Sequence, residues 1–596
     1  MSESRDESAR KTFRALVERA DKKFARVRDL PPYGTAAAQG HLFPKAFKAY
    51  MRLWKFQQEN RQSLVESGLN RWEIGEIASR IGQLYFSQYM RTSEARFLVE
   101  AYIFYEAILS RKYFEGSGPK AKDLGVRAKE LRFYARFLLV ALILNRTEMV
   151  KMLVEKFKAV IDDCEATFRE TNFREWKIVL KEIVRFMKVD SAFTSDCPLR
   201  YCPSFDSHSA SLPYVFRFHA KKVLKFRDAI LTSYHRNEVK YAELTLDSHR
   251  MLQCLEWEPS ASFYRKRSAD SNENGGFVDH SAASGLIEMN LPDMSDPSLP
   301  PNPKKAILYR PSVTHLIAVI ATVCEELPPE SVILIYLSAP GKPSGQNTSQ
   351  IESSGGSTKS SKSMISSETS HCSTSGSDVD GQKMSSCHNS CLWLGPKGSG
   401  GSNTLYPADI IPFTRRPLFL IIDSDNSQAF KVIHGAERGE TAALFLSPLR
   451  PSFRNLSDAA QIENGSQFTY FLTAPLLAFR QMAGLSSSDI NPGLYNDAEN
   501  ILATAFGAWE VMLCKSKDLD LVWAQVLSDP FIRRLILRFI FCRAVLFFFC
   551  SPECREDYLP LCLPDLPSSF SPESDGVLST IVQIADHFGV ASYFHT

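Results

Sequence analysis

Pro417-Leu418-Phe419-Leu420-Ile421-Ile422 is apolar at every position and runs straight into Asp423-Ser424-Asp425. A strand with one wet face alternates polar and apolar residues, whereas a run without alternation is buried on both faces, as in a parallel sheet covered by helices. Val332-Ile333-Leu334-Ile335-Tyr336-Leu337 and Ala442-Ala443-Leu444-Phe445-Leu446 repeat the pattern, and Lys305-Ala306-Ile307-Leu308-Tyr309 reads as a further strand. Ser312 to Leu327 fits the helix that follows it. Phe468 to Met482, Ala498 to Cys514 and Asp529 to Phe549 supply helical layers. The C-terminal part is therefore expected to be α/β with a mostly parallel sheet.

Toward the N-terminus the period changes from strand to helix. Between Phe43 and Met187 one helix carries Phe47, Tyr50, Met51, Trp54 and Phe56, and the next Trp72, Ile74, Ile77, Ile81, Leu84 and Tyr85. Thr92 and Ser93 are placed to cap a third helix from Ala95 to Leu109, and Val126 to Leu144 forms a fourth. Gly75, Ala78, Gly82, Ala95, Ala101 and Ala107 put small residues where packed helices approach. No repeat of about 34 residues recurs. The expectation is a tetratricopeptide-like or irregular solenoid array over 41–200. Before it, residues 1–40 hold a helix and linker. Phe13, Leu16, Val17, Ala20, Phe24 and Val27 share one face; Arg10, Lys11, Arg14, Lys22, Lys23, Arg26 and Arg28 occupy the other. Such a face is either a solvated surface or a basic arm for an acidic partner, a phosphate backbone or an import receptor.

The remaining segments complete the organisation. Residues 201–340 open the α/β part, with strands expected over Leu212–Phe218 and Val239–Leu246 and an exposed loop over 259–303. Residues 341–402 are rich in Ser and Gly and poor in bulky side chains, which reads as a disordered insertion. Residues 403–596 complete the sheet and its helices.

Bulk properties narrow the function. A chain of 596 residues exceeds the length of a single core. Seventy Lys and Arg against 67 Asp and Glu give no overall attraction to nucleic acid, so direct sequence-specific DNA binding is not expected. The most hydrophobic stretch, Phe531 to Cys550, is interrupted by Arg533, Arg534, Arg538 and Arg543. Each charge at the centre of a membrane helix costs roughly 2.5–3.5 kcal/mol, so no span is expected there. The N-terminal residues carry no apolar core of a secretory signal. The 13 Cys are scattered, which suits reduced thiols. Cys197-x4-Cys202, Cys387-His388-x2-Cys391 and Cys550-x3-Cys554 lack a paired second knuckle, so no metal or other cofactor is expected.

The strongest catalytic-looking feature is Asp423 with Asp425. Acidic residues at the carboxyl end of a parallel strand lie where α/β folds bind ligands. An apolar strand followed by Asp-x-Asp resembles the first motif of haloacid-dehalogenase-type phosphatases, and Leu444-Phe445-Leu446-Ser447 imitates their second. Such a pair can also hold Mg²⁺. Against this, no later acidic pair completes the metal site, and Asp, Ser and Asn favour turns for local reasons. Gly395-Pro396-Lys397-Gly398-Ser399-Gly400-Gly401 lacks the order of a phosphate loop, and His315 has no Asp or Cys at useful spacing to make it a general base. Arg265-Lys266-Arg267 is a basic triplet in a polar loop, suited to nuclear import or to plain solvation. Ser366, Ser367 and Ser377 are candidate phosphoacceptors.

Three strings together carry a family resemblance: Tyr89-Met90-Arg91-Thr92-Ser93-Glu94-Ala95-Arg96 continuing through Phe104-Tyr105-Glu106-Ala107-Ile108; Lys305-Ala306-Ile307-Leu308-Tyr309-Arg310-Pro311-Ser312; and Ile411-Pro412-Phe413-Thr414-Arg415-Arg416-Pro417 through Asp423-Ser424-Asp425-Asn426-Ser427. With them the chain resembles the SCAI family (suppressor of cancer cell invasion). The resemblance spans most of the chain outside the Ser-rich segment, which is longer and richer in Ser than animal members imply and points to a non-animal member. It implies a corepressor-like nuclear cofactor, also present in the cytoplasm. Such a cofactor binds transcription coactivators or transcription factors downstream of Rho signalling, restrains cell migration and joins chromatin-bound proteins that repair DNA breaks. It implies no catalytic site. A cytosolic helical scaffold, or a phosphotransfer or metal-dependent enzyme using Asp423 and Asp425, are the rival classes.

Overall fold

The computed structural model describes residues 2–30, 33, 41–115, 123–190, 223–234, 244–256, 302–341, 391–395, 403–437, 442–450, 464–485 and 492–595. Its architecture is α plus α/β: an N-terminal helical array followed by a mostly parallel sheet with helices.

The array opens with α1 (Ser2–Arg28) and α2 (Leu42–Glu59), which pack side by side. Phe13, Ala20 and Val27 of α1 are buried, as are Phe43, Ala46, Tyr50 and Leu53 of α2. The basic helix is thus seated on its neighbour rather than projecting as a free arm. The Tyr50 hydroxyl donates to Asp21 at 2.9 Å, and Arg80 reaches the same carboxylate from the next long helix, α3 (Arg71–Thr92). That helix starts in a capping box, in which the Asn70 N–H donates to Glu73 at 2.7 Å. Its end is turned by Ser93 in the left-handed region (φ 56) into α4 (Ala95–Ser110). Glu94, rather than Thr92 or Ser93, is the N-cap of α4; the Thr92 hydroxyl accepts from the Glu94 N–H at 3.3 Å. Gly82 is where α3 and α4 close on each other: a Cβ there would lie 2.9 Å from the Tyr105 ring. The helices Leu124–Ile143, Thr147–Thr167 and Arg174–Asp190 continue the array.

The sheet has the order β2-β1-β3-β6-β7-β8, built from β1 (Lys225–Ser233), β2 (Lys304–Tyr309), β3 (Ser331–Ser338), β6 (Leu418–Asp423), β7 (Ala442–Leu446) and β8 (Leu561–Leu563). The first five are parallel and β8 runs antiparallel to β7. Among the parallel strands the chain moves outward from β1 in both directions. The arrangement is doubly wound, with its switch point between β1 and β3.

One sheet face, with Leu231, Leu334, Tyr336, Phe419, Ile421 and Phe445, belongs to a hydrophobic core that continues without interruption into the helical array and the C-terminal helices. The other face, with Ile230, Ile333, Ile335, Leu420 and Ile422, is covered by Leu316, Val319 and Ile320 of the helix Val313–Glu326 and by Phe430. A buried polar junction ties array to sheet. The Tyr89 hydroxyl of α3 donates to Glu256 at 2.6 Å, and Lys305 of β2 lies 3.1 Å from the same carboxylate. Burial pushes the Glu256 carboxyl up and the Lys305 ammonium down, while their mutual attraction opposes both shifts. Asn302 adds a bond from its amide to the Ser93 carbonyl at 3.2 Å.

Several sequence expectations need correction. Leu246, expected to end a strand, instead opens the helix Leu246–Cys254, because Thr245 and Ser248 form a capping box there. The strand of this region is β1, whose Arg227 and Asp228 hide its apolar second half. Phe468–Met482 is two helices, Gln467–Thr473 and Pro475–Met482, since Pro475 cannot donate the hydrogen bond that would continue the first. Within the 341–402 insertion, β4 (Leu392–Trp393) pairs antiparallel with β5 (Thr404–Leu405), and Cys391, Leu392 and Leu394 are buried. Residues 342–390, the strand expected over Leu212–Phe218 and most of the 259–303 loop lie outside the described residues.

The helix Pro530–Phe549 occupies the stretch whose arginines argued against a membrane span. Arg533, Arg534 and Arg538 are buried in it and donate to main-chain carbonyls: Arg533 to Leu527 at 2.8 Å, Arg534 to Cys254 at 2.6 Å, and Arg538 to Leu472 and Thr473 at 3.1 and 2.9 Å. Among the described residues no helix is long and apolar enough to cross a membrane.

Candidate functional site

The carboxyl ends of β1, β3 and β6 place Ser233, Ser338 and Asp423 side by side in one register row. All three are buried. They end the strand positions that face the large core, so a polar row caps an apolar face next to the switch point. Beneath the row Tyr336 and Thr469 continue it inward, their hydroxyls 2.6 Å apart. The Thr469 hydroxyl donates to the Asp423 carboxylate. A hydroxyl carries one proton, so Tyr336 must then be the donor to Thr469, and the chain runs from Tyr336 through Thr469 to Asp423. Burial, and then the charges of Asp247 and Asp423, push the Tyr336 phenol upward, which keeps it protonated and donating.

Asp425 does not share this environment. Its carboxylate accepts from the Gly341 N–H at 2.5 Å and from the Ser424 hydroxyl at 3.2 Å. Gly341 has to be glycine at this contact, since a Cβ would sit 2.8 Å from that of Asn426. Ser424 and Ser447 lock the ends of β6 and β7 together. The Ser424 N–H donates to the Ser447 hydroxyl at 2.8 Å, and that hydroxyl donates back to the Ser424 carbonyl at 2.9 Å. Ser427 donates to the Ser447 carbonyl at 2.6 Å. The apparent second phosphatase motif is therefore a clamp on a turn.

A recess of about 250 Å³ opens over this edge, lined among others by Pro340, Asp423, Ser424, Asp425, Ser447 and Gln467. Its floor is held by Asp247, which accepts from the Ser466 N–H at 3.1 Å and pairs with Arg250 at 3.6 Å. Arg250 in turn donates to the Asn464 carbonyl at 2.9 Å and stacks on Tyr470. Gly465 (φ 75) passes so close to Asp247 that any side chain would collide with its carboxylate.

The structure thus brings Asp423 and Asp425 to one recess but turns them to different partners. Asp423 terminates a buried hydroxyl chain and Asp425 closes a turn. No group of three His, Cys, Asp or Glu able to hold a metal occurs among the described residues. The recess presents carboxylates and hydroxyls together with Arg450. Asp423 and Asp425 could be picked out of the sequence, but Thr469, Tyr336, Asp247 and Arg250 could not. They come from three other segments, the strand Ser331–Ser338 and the helices Leu246–Cys254 and Gln467–Thr473.

The other candidates fall elsewhere. His315 is exposed in the first turn of its helix, bonding Ser312 through its backbone and the Tyr33 hydroxyl through its ring at 2.8 Å. Cys391 and Cys550 are buried free thiols. Cys197, Cys202, Cys387, His388, the Arg265–Arg267 triplet, residues 396–401 and Ser366, Ser367 and Ser377 lie outside the described residues.

Comparison with known proteins assigns a family. The family model described as "Protein SCAI" matches residues 15–552. The chain is 34% identical to Protein SCAI of Homo sapiens over 588 residues and 33% identical to that of Mus musculus over 591, covering 98% of this chain and 89% of each relative. It is 26% identical to the Protein SCAI homolog of Dictyostelium discoideum over 716 aligned positions, covering 98% of this chain and 90% of the relative. No solved structure matches the chain.

Proposed function

From the premise that the chain belongs to the SCAI family, we propose that it is a corepressor-like nuclear cofactor that works by binding other proteins and transforms no substrate. Its partners on this reading are transcription coactivators or transcription factors under Rho control, and chromatin-bound proteins of DNA-break repair. It is concentrated in the nucleus with a share in the cytoplasm. The observation that carries the reading is the extent of the match. Similarity covers the array and the sheet together, across 98% of the chain, so what the family shares is the whole packed surface rather than one motif. The engagement of both acidic side chains supports it: buried Asp423 accepts from Thr469, and exposed Asp425 accepts from Gly341 and Ser424 at a turn.

Two measurements test the proposal. Fractionation of cells expressing the full chain is expected to recover it in nuclei, and its overexpression is expected to lower output from a Rho-responsive reporter. Exclusion from nuclei under all conditions, or a reporter that ignores the protein, would count against the cofactor role. Turnover of a phosphorylated compound by purified protein, abolished by Asp425→Asn, would replace it with the enzymatic reading.

A further inference from the structure

The chain's charge is distributed unevenly. Between Arg10 and Lys55 there are twelve Lys and Arg against three Asp and Glu, whereas the whole chain has 70 against 67, so the remainder is net acidic. The excess sits on the packed pair α1 and α2. Arg10, Arg14, Arg19 and Arg26 are exposed on α1, and Lys45, Lys48 and Arg52 on α2. The ion pairs of these helices use other residues: Lys11 with Glu7, Lys22 with Glu18, Arg28 with Asp29 and Lys55 with Glu59.

Three features make this more than a solvated helix face. Arg10 with Arg14 and Arg19 with Lys23 stand four residues apart on one helix, a spacing at which like charges destabilise it. An external anion would relieve that repulsion. Met51 is 46% exposed on α2, flanked at helical spacing by Lys48 and Lys55, and Val65 is 51% exposed on the short helix Arg61–Glu66 that packs against α1. Finally, no large aromatic side chain of this pair is exposed among the described residues, so bases would find no ring to stack on.

We infer that the outer surface of the α1–α2 pair is a docking site for an acidic polypeptide segment that also carries aliphatic or aromatic side chains, with the basic residues holding its carboxylates and Met51 seating an apolar one. This deepens the protein-binding reading and rests on it. Long-range attraction between opposite charges speeds encounter and sets the partner class, while apolar contact at the centre of a basic rim selects within that class.

The test uses the full-length chain and fluorescence anisotropy with three probes at low and moderate salt: a short peptide alternating Asp or Glu with Leu and Phe, the same peptide with Gly at each apolar position, and a single-stranded oligonucleotide of equal charge. The alternating peptide is expected to bind tightest, and binding should weaken as salt rises. Arg10→Glu combined with Arg14→Glu and Arg26→Glu should weaken it by about tenfold or more. Lys48→Glu with Arg52→Glu is the independent variant on the second helix, and Met51→Asp should bring the alternating peptide down to the level of its Gly control. Unchanged thermal midpoints establish that the variants fold. Equal binding of the alternating and Gly peptides, indifference to both charge reversals, or preference for the oligonucleotide would each overturn the inference. Nuclear fractionation and the reporter assay are unaffected by such an outcome, so the two readings fail separately.

Discussion

Two helices of this chain carry several arginines each and put them to opposite use. On α1 the arginines point outward from a ridge whose other side packs on α2. In Pro530–Phe549, Arg533, Arg534 and Arg538 point inward and end on the carbonyls of neighbouring helices and turns. The difference lies in what surrounds them. Around the first set apolar residues recur at helical spacing and leave a polar stripe; around the second they occur on every side, so the guanidinium groups have nowhere to go but the interior. A buried guanidinium survives because it carries five donors and can satisfy several carbonyls that helix ends and turns leave over. Inward charge holds segments together, and outward charge is left for partners.

That contrast can be broken or sharpened by substitution. The largest effect is expected at Lys305→Met, which strands the buried Glu256 carboxylate without its counter-charge; losses of about 3–5 kcal/mol follow from such changes. A denaturation midpoint near that of the unaltered chain would show the junction to be dispensable. Arg538→Ala should cost about 3–4 kcal/mol, because it removes the guanidinium's bonds to the Leu472 and Thr473 carbonyls and opens a cavity.

Asp529, which caps the same helix, gives a pH signature. It accepts from the N–H groups of Phe531 and Phe226, both at 3.0 Å. Burial nevertheless pushes its carboxyl from 3.8 up to about 6, with those bonds opposing the shift. A folded-state value above the unfolded one means that the contribution is full below pH 3.8 and is lost as pH rises through about 6. Relative to Asp529→Asn, the unaltered chain should therefore lose up to roughly 3 kcal/mol across that window, measured as denaturant midpoints at each pH. A difference that does not change with pH would contradict the burial of this carboxyl. At the other extreme, Arg14→Gln on α1 should alter stability by no more than about 0.5 kcal/mol.

The same environments explain what could be read from the sequence. Val332–Leu337, Leu418–Ile422 and Ala442–Leu446 declare themselves because central parallel strands tolerate nothing polar. Strand β1 was missed although it lies between β2 and β3, because its first residues, Lys225, Arg227 and Asp228, emerge at the rim of the sheet and break the run. Strand β8 has only three residues, Leu561 to Leu563, too few to show a period. At the recess, Asp423 was visible as a carboxylate at a strand end. Its meaning was not, because Thr469 lies 46 residues away and the link between them depends on tertiary packing. Sequence placed the acid, and only the fold could show that Thr469 donates to it.

The uninterrupted core beneath array and sheet has a practical consequence for anyone hunting partners. Severing the chain between the last helix of the array and β1 would divide that core and part Tyr89 from Glu256 and Ser93 from Asn302. Either fragment would then expose apolar surface that chaperones and unrelated proteins capture. Deletion mapping would report sticky, half-folded pieces as binding regions. Exchanges of single outward-facing residues leave that shared interior intact, and they are the means by which a lost partner can be traced to a lost contact.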